Sequence, residues 1–595
     1  MKKRTHTCGG LRGADAGQSV VLNGWVASTR DHGGVLFVDL RDRFGITQVV
    51  IDGAAIPEAH TLRAEDVVGI EGEVRLRPGE EKNANRATGE VEVVARGVEI
   101  LNRSKTPPFE LGDKISVRED LRLEYRYLDL RRKVLADNIE FRHRLCHSVR
   151  NSLSGHGFLE IETPLLIKTT PEGARDFIVP SRLHPGEVYA LPQSPQLFKQ
   201  VLMVSGMDRY FQICKCLRDE DLRADRQPEF TQIDLEMSFV DQEDVFKVVE
   251  DMVSVMWRDL MGASLPTPFI RMPYDECMRR FGNDKPDIRF GLELFDLADI
   301  AADCGFKVFS DVAKSKGGAV KGICVPGGAA MSRKEIDETE AVAKTHGARG
   351  LAWMKLTPEG PQGPVAKFLA LGDVAKIAER SDAKTGDLLV FVAAPFETTC
   401  ASLAQVRLHL GRTRNLVDTS RTAFLWVVDF PMFGWNEEDK RWEAKHHMFT
   451  STRGPMPNVG DDLTDVKANL YDLVLNGNEM ASGSIRIHRP EDQQRVFDLV
   501  GFSREEAEAK FGWFLRALDY GAPPHGGIAL GLDRLVMLMR GTESLRDVIA
   551  FPKTASGTCL LTQSPSPADD RQWADLGLML RPKPTSQGVP PPSQA

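Results

Sequence analysis

The chain has 595 residues, too many for one hydrophobic core, so three or more domains are expected. Its 42% hydrophobic and 27% charged residues are ordinary for a soluble globular protein, and a net charge of −9 argues against a generic nucleic-acid coat while leaving room for a local RNA-binding face. No apolar run approaches a membrane span, and the basic start MKKRTHTCGG lacks the apolar stretch of a secretory signal, so a cytoplasmic protein with no membrane partner is expected.

Residues 1–104 read as all-β. Val20–Trp25, Val35–Leu40, Thr47–Ile51, Val67–Leu76 and Val91–Ile100 are short strands parted by Gly, Asp and Asn turns, which suits a five-stranded barrel of the OB type. Residues 105–135 open on the break TPPFEL and continue rich in arginine and acids, as a hinge. From Asp137 to Ser154 the spacing of Ile139, Leu145, Val149 and Leu153 predicts a helix, stopped by Gly155 and Gly157. The segments 136–285 and 421–560 both mix strands with helices and carry the charged motifs. Between them, 286–420 is rich in Ala, Gly and Lys, carries none of those motifs, and reads as an inserted α+β domain. Residues 561–595 form an extension ending in RPKPTSQGVPPPSQA, a composition expected to be disordered.

Phe158–Ile167 (FLEIETPLLI) reads as a strand that its Pro164 confines to an edge, equally good as a dimer surface or an ordinary core element. Thr169–Phe177 (TTPEGARDF) is a Gly-containing loop with Glu172 at its tip, either a lid or a surface loop. Leu191–Lys199 (LPQSPQLFK) places Ser194, Gln196 and Lys199 on a turn entering a helix.

Residues 210–239 carry the most information. Tyr210–Leu217 and Phe230–Phe239 alternate like strands and flank RDEDLRADRQPE, which predicts two antiparallel strands joined by a charged loop. Arg218, Arg223 and Arg226 can clamp phosphates, Asp219, Glu220, Asp221 and Asp225 can hold a cation or an amino group, and an aromatic past the loop can stack on a base. A solvated, salt-bridged hairpin fits the pattern as well. Cys214 and Cys216 share one face of the strand and are expected to pack; the nine cysteines form no CxxC pair, so no structural zinc is expected.

The paired histidines 446–447 are more often structural than catalytic. Asp472–Arg486 reads as a helix, a Gly/Ser-rich turn and a strand. On a continuing helix Asp472 and Glu479, seven apart, share a face that suits Mg²⁺, and Arg486 follows where it can meet an anion. Gly526–Arg534 (GGIALGLDR) is a strand, then Asp533 and Arg534 opening a helix. An arginine at a helix start opposes the macrodipole unless an anion sits there. There is no GxxxxGK[ST] loop, so a nucleotide would be held by arginines on an antiparallel sheet.

Taken together, FLEIETP, FQICKCLRDEDLRADRQPEFTQIDLE and GIALGLDRLVML occur in the order of the three class II aminoacyl-tRNA synthetase signatures, and TPEGARDF, LPQSPQLFKQ, NGNEMASGSIRIH and DVIAFPKT match the aspartate–tRNA ligases of bacterial type. The chain resembles that family over nearly its whole length, and the 286–420 insertion resembles what the family calls its GAD domain. The resemblance implies a homodimer that uses ATP and Mg²⁺ to form aspartyl-adenylate from L-aspartate and then charges tRNA-Asp. It implies that Arg218 and Arg534 are catalytic, on the α- and γ-phosphates. Asp219, Glu220, Gln227, Phe230, Glu479, Gly531, Leu532 and Asp533 would complete the ATP site, with Phe230 under adenine. Asp472 and Glu479 would hold Mg²⁺. Lys199 and Arg486 would read the aspartate side chain, two buried cations that asparagine would leave unpaired. Ser194, Gln196 and Asp234 would hold the α-ammonium, and Glu172 and His446 would lie on closing loops.

In the barrel, Phe37 and Gln48, with Arg30 and Asp31 on the preceding loop, match the family's anticodon contacts; read without the resemblance, Phe37 is a core residue. His32 matches members that also charge tRNA-Asn, whereas Glu80 stands where those members carry Gly. The family's Gly-rich turn after Glu479 reads Met480-Ala481-Ser482-Gly483 here, which implies an altered turn. Two other classes stay open: a synthetase for asparagine or lysine, which the Lys199–Arg486 pair and the insertion oppose, and a non-catalytic RNA-binding paralogue, which should have lost some of Arg218, Glu220, Glu479 or Arg534.

Overall fold

The computed structural model describes residues 1–170, 174–221 and 226–579. Glu172, Arg223, Asp225 and the Pro-rich tail lie outside the described residues. Two units divide the chain: Met1–Arg142 with Arg546–Ser566, and His143–Leu545 with the chain from Pro567.

In the first unit, β1 (Ser19–His32), β2 (Val35–Asp42), β3 (Gly45–Asp52), β4 (Val67–Leu76) and β5 (Val91–Asn102) close a barrel in the order β1-β2-β3-β5-β4. The pairs are antiparallel except β3–β5, as an OB barrel requires. Alternate residues fill it: Val20, Leu22, Val38, Leu40, Val49, Ile51, Ile70 and Val93 are all buried. β1 runs seven residues further than its apolar stretch indicates. Arg30, Asp31 and His32 therefore lie on the strand, facing Phe37, Leu36 and Val35, and not on a loop. Gly33 and Gly34, both at positive φ, close that hairpin in two residues. Further on, the buried guanidinium of Arg126 pairs with Asp129 and donates to the carbonyls of Arg546, Ile549 and Ala550, tying the returning segment to this unit.

The second unit is built on an eight-stranded sheet. In spatial order its strands are Ile270–Pro273, Phe424–Val428, Leu470–Leu475, Asn478–Ile485, His525–Gly531, Glu229–Ser238, Arg209–Leu217 and Leu159–Glu160. The expected charged hairpin is there, in register from Glu229–Leu217 to Met237–Arg209. Helix Gln242–Met261 covers one face, with Phe246 stacked on Trp426 at 4.1 Å and Glu250 accepting the Trp426 indole N–H at 2.9 Å. The pleat turns Gln232, Asp234 and Glu236 to the opposite face.

Two expectations change. Asp472 lies on a strand and not a helix: Leu470–Leu475 and Asn478–Ile485 form a hairpin around Asn476-Gly477, and residues 480–483 sit inside the second strand and not in a turn. The Asn-Gly step is the sequence signal for that hairpin. The strand expected over 158–167 is confined to Leu159–Glu160, paired parallel at the sheet edge; beyond it the backbone leaves the ladder before Pro164. The 133–155 helix starts four residues before the expected Asp137. Within 286–420 lies a separate five-stranded sheet, whose central strand is the buried, apolar Leu388–Pro395.

Candidate active site

A cavity of about 890 Å³ opens on the face of the eight-stranded sheet that carries Gln232 and Asp234. Its floor is local chain logic made spatial. The helix Gln196–Val204 brings Gln196 and Lys199, with Ser194 on the turn before it; the charged hairpin brings Arg218, Glu220, Gln227, Phe230 and Asp234; the 470–485 hairpin brings Glu479, with Arg486 just after it; and the end of the His525–Gly531 strand brings Gly531, Asp533 and Arg534. His446 lines it as well. Residues up to 340 positions apart in sequence thus share one site.

Three expected residues lie elsewhere. Asp219 is exposed and bonds through its backbone to Arg175, while Leu532 is packed in the core. Asp472 is buried out of the cavity lining. Asp533 lines the cavity, but its carboxylate also accepts from the Thr231 backbone N–H at 2.7 Å, so it fixes the strand beneath the site.

Four buried charges form the floor: Lys199, Asp234, Glu236 and Arg486 are each at most 2% exposed. Lys199 Nζ donates to Asp234 Oδ1 at 2.6 Å and lies 3.3 Å from Glu236. Arg486 meets Glu236 with two bonds, at 2.9 and 3.1 Å. The two cations are therefore already paired, so an uncharged ligand does not leave them bare; burying them without acids would cost several kcal/mol each. Arg486 Nη1 differs from the other nitrogens. It donates only to neutral acceptors, His447 Nε2 at 2.7 Å and Ser484 Oγ at 2.6 Å. Burial, then Arg486 and Lys199, keep His447 well below the usual imidazole range, so it is neutral. Glu236 and His447 are functional neighbours that the sequence reading missed. Room for Glu236 comes from Gly527, where a Cβ would lie 2.0 Å from its Oε2.

Burial raises the Asp234 carboxyl to about 6 although Lys199 offsets part of the effect, whereas on Glu236 the cations outweigh burial and hold it below the usual range. Burial, helped by Lys445, pushes His446 down to about 4. Several buried polar atoms of the site have no hydrogen-bond partner among the described residues: Gln196 Nε2, Arg218 Nε, Asp234 Oδ2 and Asp472 Oδ1. Two donors and an acceptor around one cavity suit a zwitterion. The Arg218 guanidinium lies 5.1 Å from the Phe230 ring centre, so a flat group stacked on Phe230 would lie beside a cation. Arg534 is oriented by donating to the Glu479 carbonyl at 2.8 Å. Asp472 is pushed well above the carboxylate range, first by burial and then by Glu479. Asp472, with an unpartnered carboxylate oxygen, and Glu479 on the paired strand are hard oxygen donors of the kind that fit a divalent cation completed by phosphate oxygens.

On the barrel, Phe37 is half-buried and not a core residue, with the His32 ring edge-on at 5.6 Å. Gln48 donates to Glu92 at 3.0 Å, beside the exposed Arg30, and Asp31 closes the hairpin by accepting from the Gly34 N–H. Glu80 is exposed.

A family model described as tRNA synthetases class II (D, K and N) matches residues 118–555. The chain belongs to this family. A second, described as an OB-fold nucleic acid binding domain, matches residues 20–101 of the synthetase. The synthetase is 54% identical over 581 residues to the Aspartate--tRNA(Asp/Asn) ligase of Geotalea uraniireducens (97% of this chain, 98% of the relative), and 50% identical over 588 residues to the Aspartate--tRNA ligase of Lysinibacillus sphaericus (98% and 100%). Its fold is like that of the Pyrococcus horikoshii asparaginyl-tRNA synthetase complexed with asparaginyl-adenylate, at TM-score 0.57 and 18% identity over 93% of this chain and 99% of that one.

Proposed function

We propose that the synthetase attaches L-aspartate to tRNA in two ATP-dependent steps, with relatives named for that activity at 50–54% identity over nearly the full chain in support. The observation that carries the amino-acid choice is Arg486 Nη1, whose present partners are neutral. A ligand carboxylate replacing His447 there gains a charge-assisted bond; an asparagine amide does not. Asp234 Oδ2 receives the α-ammonium, together with Ser194 and Gln196.

In the first step an aspartate α-carboxylate oxygen bonds to the α-phosphorus, and the bond to the β-phosphate oxygen breaks, its electron pair leaving on pyrophosphate. Arg218 neutralises the charge on the α-phosphate, Arg534 holds the γ-phosphate, Phe230 stacks on adenine, and Glu220 and Gln227 contact the nucleotide. Asp472 and Glu479 would hold Mg²⁺, which when bound screens the polyphosphate charge. In the second step a 3′-terminal hydroxyl of tRNA attacks the activated carbonyl and AMP leaves. No covalent enzyme intermediate is needed; positioning and charge neutralisation carry the rate. His446 belongs to a segment that closes over the amino acid.

The barrel reads the anticodon through Phe37, Gln48, Arg30 and Asp31. His32 and the Asp/Asn relatives favour charging of both tRNA-Asp and tRNA-Asn. The division into a barrel (1–104), a hinge (105–135), a catalytic domain in two parts (136–285 and 421–560), an insertion (286–420) and an extension (561–595) belongs to the same reading. So do a homodimer formed through the Leu159 edge, where Leu159, Leu165 and Leu166 are exposed, and a cytoplasmic location. Among the described residues no helix is long and apolar enough to cross a membrane.

Charging purified tRNA-Asp and tRNA-Asn with labelled aspartate tests this. Both should be charged. Charging of tRNA-Asp alone removes the broad tRNA choice, and charging of neither removes the function.

A further inference from the structure

The segment that leads from helix Tyr274–Phe281 into the five-stranded sheet reads Gly282-Asn283-Asp284-Lys285-Pro286-Asp287, and it carries a cation to the catalytic cavity. Lys285 lines that cavity. Its place is fixed by its neighbours. Asn283 Oδ1 accepts from the Lys285 N–H at 3.0 Å, shaping the turn. Asp287 is buried and held by Arg289 through bonds of 2.9 and 2.7 Å. Arg407, also buried, donates to the carbonyls of Asp287 and Phe290 at 2.9 and 2.7 Å, with its guanidinium 3.9 Å from the Phe290 ring centre. From the other side the Asn476-Gly477 turn presses in: a Cβ on Gly477, at φ +80°, would lie 3.0 Å from Asp287 Cβ. That turn joins the two strands bearing Asp472 and Glu479.

The segment is thus locked against the acid pair. Lys285 lines the same cavity as Glu479 and Arg534. Yet among the described residues its ammonium forms no ion pair. An exposed lysine on a pinned backbone, lining the cavity together with Glu479 and Arg534, is placed as a point charge for a phosphate.

We propose that Lys285 is a further catalytic residue, which contacts the terminal phosphates of ATP and carries the negative charge that collects on pyrophosphate as the phosphoanhydride bond breaks. This rests on the adenylate reading above. It gives the entry to the inserted sheet a chemical part in the first step and none in the second, because pyrophosphate has left before tRNA is charged.

The test compares full-length wild type, Lys285→Met and Lys285→Arg. ATP–pyrophosphate exchange with aspartate is measured against pyrophosphate concentration, and single-turnover transfer to tRNA is measured from preformed adenylate. Lys285→Met should raise the pyrophosphate KM about tenfold or more, as loss of a charge-assisted phosphate contact does. Lys285→Arg should recover most of it, and transfer and the aspartate KM should stay unchanged. Exchange by Lys285→Met equal to wild type overturns the inference. So does a loss confined to transfer, which would make Lys285 a contact for the tRNA end. Failure of the wild type itself to exchange with aspartate overturns the adenylate reading, a result distinct from both.

Discussion

Arg486 and Glu236, 250 positions apart in sequence, meet in two nearly parallel bonds, Nε to Oε1 at 2.9 Å and Nη2 to Oε2 at 3.1 Å, and neither side chain is more than 2% exposed. This pair fixes the guanidinium so that Nη1 alone is left for exchangeable partners. Glu236→Gln should therefore cost stability as well as specificity: about 3 kcal/mol in urea unfolding, since it leaves a buried cation short of compensation. A loss within about 0.5 kcal/mol, the range of ordinary surface changes, would mean that the pair is not holding the floor together.

Asp234 sets a pH dependence. Its folded value of about 6 lies above the ordinary 3.8. Between those values the folded state holds the proton more tightly than the unfolded chain, so the stability it contributes is fully present below about 3.8 and is lost as pH rises through 6. Binding runs the other way: protonated Asp234 cannot pair with an α-ammonium. The aspartate KM should rise about tenfold per unit below pH 6, a slope that Asp234→Asn removes. A flat KM from pH 7 to 5 would take Asp234 out of amino-acid binding.

Arg534→Ala should slow adenylate formation by about two orders of magnitude or more while tRNA binding stays near wild type, because the guanidinium faces the cavity and is oriented by the Glu479 carbonyl. Pre-steady-state adenylate formation and a filter-binding titration separate the two, and an unchanged rate would remove Arg534 from the reaction.

Phe37→Ala should do the reverse. Loss of one stacked base costs about 1–3 kcal/mol, so kcat/KM for tRNA should fall roughly tenfold to a hundredfold with ATP–pyrophosphate exchange untouched. Equal charging by the variant would return Phe37 to a packing role.

Much of this was readable in the chain because strand alternation and turn residues are local. The five barrel strands and the hairpin at 209–238 follow from period-two patterns, and Gly33-Gly34 or Asn476-Gly477 mark tight turns. The strand bearing Asp472 is harder to read, because LVL within a polar stretch fits a helix as well as a strand unless the Asn-Gly step is weighed. The pairing of Lys199 and Arg486 was not readable. It depends on Asp234 and Glu236 from one strand and His447 from a much later segment, and only the folded sheet brings them within bonding distance. Phe37 resembles a core residue by its type alone: it lies on the opposite phase to Leu36, Val38 and Leu40, which fill the barrel, and so stays half-buried.

The central claim is that the cavity activates aspartate. Amino-acid-dependent ATP–pyrophosphate exchange, run in parallel with aspartate, asparagine and lysine, tests it most directly. Exchange with aspartate alone is the expected result. Exchange with asparagine or lysine in its place, or with none of the three, would contradict the account.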